Sequence, residues 1–178
     1  MRTVELTGNT VGRPIQTHKK VKDTNLAYIA GFLDGDGSVM VQVKKTKFNP
    51  KGWRLMFTIC FYQDSNHAQP LSWIRKILGI GYLSYRNDGI TELRINGYAQ
   101  TERILKDLLP YLRFKKKQII IILKILKLVH NKKFGQLTIQ KRLRIVDLIY
   151  ESRQLTYKSG WKDLSNEKKA ELKQTLTS

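Results

Sequence analysis

Closely spaced aspartates end a glycine-rich helix pattern in a chain that is otherwise strongly basic. Ala27, Gly31 and Gly35 recur every four residues, so their small side chains share one face of a predicted helix. Such a face lets a second helix approach backbone to backbone. If two copies pair along it, two Asp36 carboxylates meet beside two negative helix C-termini, just before the helix-breaking Gly37. We interpret this as a place to hold a divalent metal ion.

The composition indicates a polyanion as partner. The 178 residues include 33 Lys and Arg against 14 Asp and Glu, which gives a net charge of +19 and a pI near 10.1. This excess favours nucleic acid over an anionic membrane surface, and argues against a basic surface with no partner. Cys60 is the only cysteine, which excludes an internal disulfide and a Cys-ligated zinc site. No apolar run is long enough to cross a bilayer, so we expect an intracellular protein with no membrane partner. The Lys- and Ile-rich composition suits an AT-rich organellar genome (chloroplast or mitochondrion) or a microbial cytoplasm.

The hydrophobic periodicity predicts an α+β domain with an antiparallel sheet. A helix over about residues 26–33, capped by Thr24 or Asn25, precedes two hairpins, and each hairpin is followed by helical spacing. The hairpins turn at residues 49–52 and at Asn87-Asp88-Gly89. We divide the chain into an N-terminal arm (1–23), one domain (24–154) and a C-terminal helical tail (155–178). One further helix is predicted to begin at Ser65 or Asn66. Four more are predicted over about residues 98–109, 114–130, 138–154 and 165–175.

One face of the predicted sheet carries side chains that could contact nucleic acid. Alternate residues of each strand are apolar, so the polar residues between them face outward. They are rich in Arg, Gln, Asn and Tyr, which bond base edges and phosphates, and a two-stranded ribbon fits the major groove. An ordinary solvated face is the alternative interpretation. The predicted contact residues are Gln42, Lys44, Arg54, Thr58, Tyr62, Tyr82, Ser84, Arg86, Glu92, Arg94 and Asn96.

The segment Ile29–Gly37 resembles the motif of the LAGLIDADG homing endonucleases, in particular the single-motif members encoded by group I introns. The likeness covers about residues 24 to 130. The predicted element order resembles the αββαββα core of the family, and Leu109–Gln118 resembles its basic segment before a long helix. This resemblance implies a curved antiparallel sheet that forms a DNA-binding saddle, with added C-terminal helices.

The resemblance also implies an activity, site-specific double-strand DNA cleavage. One motif copy implies a homodimer that cuts a long pseudo-palindromic target across the minor groove and leaves 3′ overhangs. The reaction implied is metal-dependent phosphodiester hydrolysis with Mg²⁺, for which Mn²⁺ would substitute, whereas Ca²⁺ would support binding without cleavage. The interface residues implied are Ala27, Ala30, Gly31, Asp34 and Gly35.

Residue roles follow from matching positions in the motif and in the basic segment. Asp36 is then the metal ligand, assisted by the backbone carbonyl of Gly35, and Asp34 has a helix-end or structural part. Gln63 matches a residue that positions water, although a strand-end amide that caps a helix is the alternative. Lys115 matches a basic residue near the scissile phosphate.

One position departs from the family pattern. Where a pocket arginine is expected, this chain has His67, and Arg75 is a second candidate for the same role.

Two other functions stay open. The first alternative function is an RNA-binding intron maturase on the same scaffold, with intron RNA as its partner. The second is a catalytically inactive DNA-binding regulator, which would be expected to lack Asp36.

Overall fold

The computed structural model describes residues 21–45, 52–130, 132–156 and 166–177. Residues 1–20 of the predicted N-terminal arm and most of the predicted turn at 49–52 lie outside these ranges. The helices are α1 (Asp23–Asp36), α2 (Gln69–Leu78), α3 (Tyr98–Leu108), α4 (Lys116–Val129), α5 (Ile139–Gln154) and α6 (Asn166–Thr177). The strands are β1 (Gly37–Lys45), β2 (Trp53–Asp64), β3 (Tyr82–Tyr85) and β4 (Ile90–Asn96).

The four strands form one antiparallel sheet in the order β1-β2-β4-β3. The predicted alternation is confirmed, because Val39 pairs with Ile59 and Ile59 with Ile95, and all three are buried. Helices α1, α2 and α3 pack on this buried face and the remaining helices extend the core. The mixed α+β architecture predicted from the sequence is therefore confirmed.

Gly37 makes the abrupt change from α1 to β1 possible. A Cβ atom at this position would lie 2.6 Å from Leu33 Cδ1 and 2.8 Å from Leu33 Cα, closer than side chains tolerate. The backbone of Gly37 is extended (φ −108°), so glycine is required here for close approach and not for a left-handed turn. The strand therefore begins directly beneath the last turn of the helix, next to Asp36.

Three helix beginnings differ from prediction. Helix α2 begins at Gln69 and not at Ser65 or Asn66, because Ser65–His67 form a short 3₁₀ helix of their own. Helix α1 begins at Asp23 after Lys22, without a side-chain cap, so Thr24 and Asn25 lie inside its first turn. The prediction of either as N-cap is therefore wrong. Helix α4 begins at Lys116, two residues later than predicted, because the preceding N–H groups bond to a distant carboxylate described below.

The second helix is well formed around its apolar stripe. Leu71, Ile74 and Leu78 are buried, and Gly79 ends α2 in the left-handed conformation (φ 71°). Trp73, between Leu71 and Ile74 in the sequence, is 37% exposed. In the described ranges, no helix combines the length and apolarity that crossing a membrane requires.

Candidate active site and nucleic-acid interface

Asp36 is the last residue of α1 and its side chain is exposed. Among the described residues, none donates a hydrogen bond to its carboxylate. Since Gly37 pairs with Phe61, Asp36 lies at the end of the sheet where β2 continues to Gln63 and Asp64. The chain thus presents an uncommitted carboxylate at the junction of helix and sheet.

Asp34, two residues earlier, has a different environment. Its side chain is 5% exposed and its carboxylate accepts three backbone hydrogen bonds, from Arg113 (2.6 Å), Phe114 (3.1 Å) and Lys115 (2.9 Å). Hydrogen bonds to a carboxylate are stronger than those between neutral groups. Asp34 therefore fixes the segment before α4 against the end of α1, which agrees with the structural part expected for it.

Lys115 is held beside Asp36 by the same contact. Its ammonium group donates to the Asp34 backbone carbonyl at 2.5 Å, at the negative end of α1. Burial lowers the pKa of Lys115, while the negative charges of Asp34 and Asp36 oppose this shift. The Lys115 ammonium therefore lies at the end of α1, two residues before Asp36 and within range of its charge.

Gln63, His67 and Arg75 are not joined to Asp36 by hydrogen bonds within the described part of the chain. Gln63 is half-buried near the same end of the sheet, and its side-chain carbonyl accepts from Asp64 N at 2.9 Å. His67 is exposed in the short 3₁₀ helix Ser65–His67, and Arg75 lies in the last turn of α2. Their roles remain predictions.

The glycine-rich face of α1 is open, with one correction to the predicted interface. Ala27, Gly31 and Gly35 are exposed, and a Cβ atom added at either glycine would meet no atom of the described ranges within 4 Å. Ala30 is fully buried and Asp34 nearly so, because both lie on the side of α1 that faces the core of this chain. They cannot offer surface to a partner, so their assignment as interface contacts is wrong.

Three exposed aromatic residues were missed from the sequence. Tyr28 is 57% exposed on the same side of α1 as Gly31, and its ring meets Trp73 edge-on at 5.5 Å. Phe114 is 75% exposed in the segment that Asp34 fixes. The available signals were the three-residue spacing from Tyr28 to Gly31 and an aromatic residue inside a run of basic residues.

The register confirms that the predicted contact residues share the outer face of the sheet. Tyr82, Arg94, Cys60 and Ser38 lie side by side across the four strands. Two hydrogen bonds hold the side chain of Asn96 in place. Its Oδ1 accepts from Thr58 Oγ1 at 2.8 Å, and its Nδ2 donates to Tyr82 Oη at 3.3 Å. The outer face is thus a set of polar side chains fixed by their neighbours.

Thr58 and Glu92 are on this face but are only 3% exposed. Neighbouring side chains cover both, so their prediction as direct contacts is wrong and they act as supports. Glu92 lies between two arginines, with Arg86 Nη1 at 2.9 Å and Arg94 Nε at 2.5 Å. Burial alone would raise the pKa of Glu92, but hydrogen bonds from Arg86 and Arg94 outweigh it and hold the pKa below its ordinary value.

The middle of the outer face contains weakly acidic groups that stay protonated. Burial raises the pKa of Tyr62 to about 12, although its hydrogen bond with Ser38 (2.8 Å) acts in the opposite direction. Burial likewise raises the pKa of the Cys60 thiol, which is fully buried. Tyr62 is therefore a neutral hydrogen-bonding group at physiological pH, as contact with a polyanion requires.

A single chain offers few metal ligands at this site. Within the described ranges, no three His, Cys, Asp or Glu side chains come close enough together to hold an ion. At the end of α1, the Asp36 carboxylate and the Gly35 backbone carbonyl could hold an ion, whereas Asp34 is committed to N–H groups. Such a sparse set of oxygen donors suits Mg²⁺, which binds few carboxylates and keeps several waters.

Known proteins with similar sequences share this arrangement of elements. The LAGLIDADG endonuclease family profile matches residues 29–129. DNA endonuclease I-CvuI from Chlorella vulgaris is 31% identical over 121 residues, which is 68% of this chain and 73% of that protein. DNA endonuclease I-CreI from Chlamydomonas reinhardtii is 30% identical over 101 residues, 57% of this chain and 61% of that protein.

Two solved structures of I-CvuI superpose on most of the chain. One is a complex with the I-CreI target and Mg²⁺ in which the DNA is not cleaved; its TM-score is 0.74 at 27% identity, over 88% of this chain and 97% of that chain. The other holds its own target with Ca²⁺, with a TM-score of 0.73 at 26% identity over 87% and 96% of the two chains. On the sequence match and the shared fold, the chain belongs to the LAGLIDADG endonuclease family.

Proposed function

We propose that this protein is a site-specific double-strand DNA endonuclease that works as a homodimer and requires Mg²⁺. The observation that carries the proposal is the exposed, uncommitted carboxylate of Asp36 at the tip of an open glycine face, with Lys115 held beside it. The two DNA endonucleases that resemble the chain, and the DNA complexes of I-CvuI, support the same substrate.

The homodimer is supported by the shape of α1. Gly31 and Gly35 leave open space over one helix face, and only a helix with an equally flat face can fill it closely. A two-fold axis along this face would bring both Asp36 residues to one point. Tyr28, exposed on the same side of α1, would supply apolar contact area around it.

Each subunit would contribute the same groups to the cleavage site. Asp36 and the Gly35 carbonyl would hold the ion, which when bound activates water and stabilises the leaving oxygen. The Lys115 ammonium would neutralise charge on the scissile phosphate, a role for which its half-buried setting suits it. Gln63, near the same end of the sheet, would orient the attacking water.

The outer sheet face would bind the target. Gln42, Lys44 and Arg54 lie towards one end of the face, and Arg94 and Asn96 lie further across it on β4. Since the two subunits are identical, a two-fold dimer reads two similar half-sites, which makes the target pseudo-palindromic. Cleavage across the minor groove with 3′ overhangs completes the proposal, and these details rest on the family resemblance.

A cleavage screen on a library of intron insertion sites tests the proposal. With Mg²⁺, wild-type protein should linearise plasmids that carry one class of insertion site, whereas with Ca²⁺ it should only bind them. Binding without cleavage in Mg²⁺ and in Mn²⁺ across the whole library would instead favour the DNA-binding regulator. The presence of both Asp36 and Lys115 argues against that outcome.

A further inference from the structure

We propose that Glu92 is a positioning residue for base recognition, which holds the guanidinium of Arg94 in the geometry that reads a guanine. The inference rests on the proposed function and deepens it, since it names the base that one side chain of the outer sheet face selects. An acid on this face is unexpected in a strongly basic chain, because it repels phosphate. Glu92 is too deeply buried to touch DNA itself, so its part in recognition is indirect.

Glu92 is bonded to two arginines at once. It lies on β4 between Tyr62 of β2 and Ser84 of β3. Its Oε1 accepts from Arg86 Nη1 at 2.9 Å, and its Oε2 accepts from Arg94 Nε at 2.5 Å. Hydrogen bonds between two charged groups are the strong ones, and burial of the carboxylate limits their screening by salt. One buried carboxylate therefore fixes two guanidinium groups on the face that would meet DNA.

The two arginines differ in the donors that they keep. All three nitrogens of Arg86 donate within the chain, since its Nε (3.1 Å) and Nη2 (2.5 Å) bond to Asp88 and its Nη1 bonds to Glu92. Arg94 gives its Nε to Glu92 and also hydrogen-bonds to Tyr82, its neighbour on β3. A guanidinium has more N–H groups than these two partners use. Arg94, with its side chain 39% exposed, therefore keeps terminal N–H groups for a ligand.

The charges of this cluster balance, which favours a base over a phosphate as the ligand of Arg94. The two guanidinium groups are paired with the carboxylates of Asp88 and Glu92. Attraction of phosphate depends on net positive charge, to which a balanced cluster adds little. A fixed guanidinium instead gives directional bonds, and its bidentate pairing with O6 and N7 of guanine is the commonest specific contact in the major groove.

The test is selection of bound sequences from a duplex DNA library with randomised half-sites, using the full chain in Ca²⁺ so that cleavage does not deplete the library. Arg94→Ala identifies the base position that Arg94 reads, and Glu92→Gln tests the positioning role. Glu102→Gln is the control, since it removes the same charge from α3, which packs on the buried face of the sheet. Affinity for random-sequence duplex is measured in parallel by fluorescence anisotropy.

We expect wild type to prefer guanine at one position of each half-site, and Arg94→Ala to lose that preference alone. Glu92→Gln should weaken discrimination at the same position roughly tenfold, because an amide has one acceptor oxygen in place of two and no charge to hold the guanidinium. Its other base preferences and its affinity for random duplex should match those of Glu102→Gln. When Arg94→Ala is already present, Glu92→Gln should change no further position, since Glu92 acts through Arg94.

A guanine preference that survives either Glu92→Gln or Arg94→Ala would overturn the inference alone. An equal loss of discrimination at every position in Glu92→Gln would also overturn it, because that result indicates a general structural role. If circular dichroism shows that Glu92→Gln is unfolded, Glu92→Asp, which keeps the charge on a shorter side chain, must show the loss at the same single position. A wild-type chain with no base preference at any position would overturn the proposed function together with this inference.

Discussion

The carboxylate of Asp34 and the main chain of Lys115 are joined at 2.9 Å, while the Lys115 ammonium returns to the Asp34 carbonyl at 2.5 Å. This double contact links the end of α1 to the start of α4, residues that are 81 positions apart. The two aspartates of the motif therefore have different roles. Asp34 organises the site, and Asp36 remains free to act.

Asp34→Asn should destabilise the fold without abolishing it. An amide has one acceptor oxygen in place of two and no charge, so at least one of three backbone N–H groups loses its partner. We expect the free energy of unfolding in urea to fall by roughly 2–3 kcal/mol. The control is Asp64→Asn, which removes a charge but keeps an acceptor oxygen for the exposed cap bond from Asn66 N, so little change is expected. Equal losses in the two variants would contradict the organising role of Asp34.

Lys115→Ala should slow cleavage and leave DNA affinity nearly unchanged. The ammonium group lies beside Asp36, so its loss removes charge stabilisation at the reacting phosphate, and we expect a roughly hundredfold lower single-turnover rate. Lys117→Ala is the control, because Lys117 is exposed on α4. Weaker binding with an unchanged rate would show that Lys115 only clamps a phosphate.

Gly31→Leu should abolish the dimer and spare the fold of each chain. No described residue lies within 4 Å of the new Cβ atom, and leucine is about 1 kcal/mol better than glycine inside a helix. Sedimentation should therefore show a monomer, and its circular dichroism should match that of the folded wild-type chain. Ala99→Leu, at an exposed position of α3, should remain dimeric. A dimeric Gly31→Leu variant would contradict the proposed interface.

Glu92→Gln should change the acid stability of the protein. The folded pKa of Glu92 lies below its ordinary value of 4.5, so its charge stabilises the fold above that pH, and the stabilisation is lost as pH falls through the lower folded value. The variant should be less stable at neutral pH and should show a shallower loss of stability below pH 4.5. Thermal melts from neutral to acidic pH measure this, with Glu102→Gln as control because its pair with Lys106 is exposed. Identical pH profiles for Glu92→Gln and wild type would contradict it.

Local periodicity was sufficient to predict most of the architecture. Alternation assigned all four strands, and the helix-breaking Gly37 marked where α1 ends. The errors arose where contacts between distant residues decide the outcome. The late start of α4 depends on Asp34, which lies far away in the sequence.

For the candidate site, alternation along the strands predicted correctly which side chains face outward, but it did not predict which of them are exposed. Thr58 and Glu92 face outward as alternation requires, yet the side chains of adjacent strands cover them. Ala30 is as small as Ala27, but it lies three residues further along α1 and faces the core. Spacing along one strand or helix therefore indicates a direction, while exposure depends on neighbours that only the folded chain reveals.

Asp36→Asn should abolish cleavage, because the proposed reaction depends on two Asp36 carboxylates that meet at one point. The assay uses a target found in the insertion-site screen and follows linearisation in Mg²⁺, together with sedimentation and binding in Ca²⁺. We expect a dimer that binds normally and does not cut, since the substitution removes a metal ligand and little else. Cleavage at the wild-type rate by this variant would contradict the role proposed for Asp36.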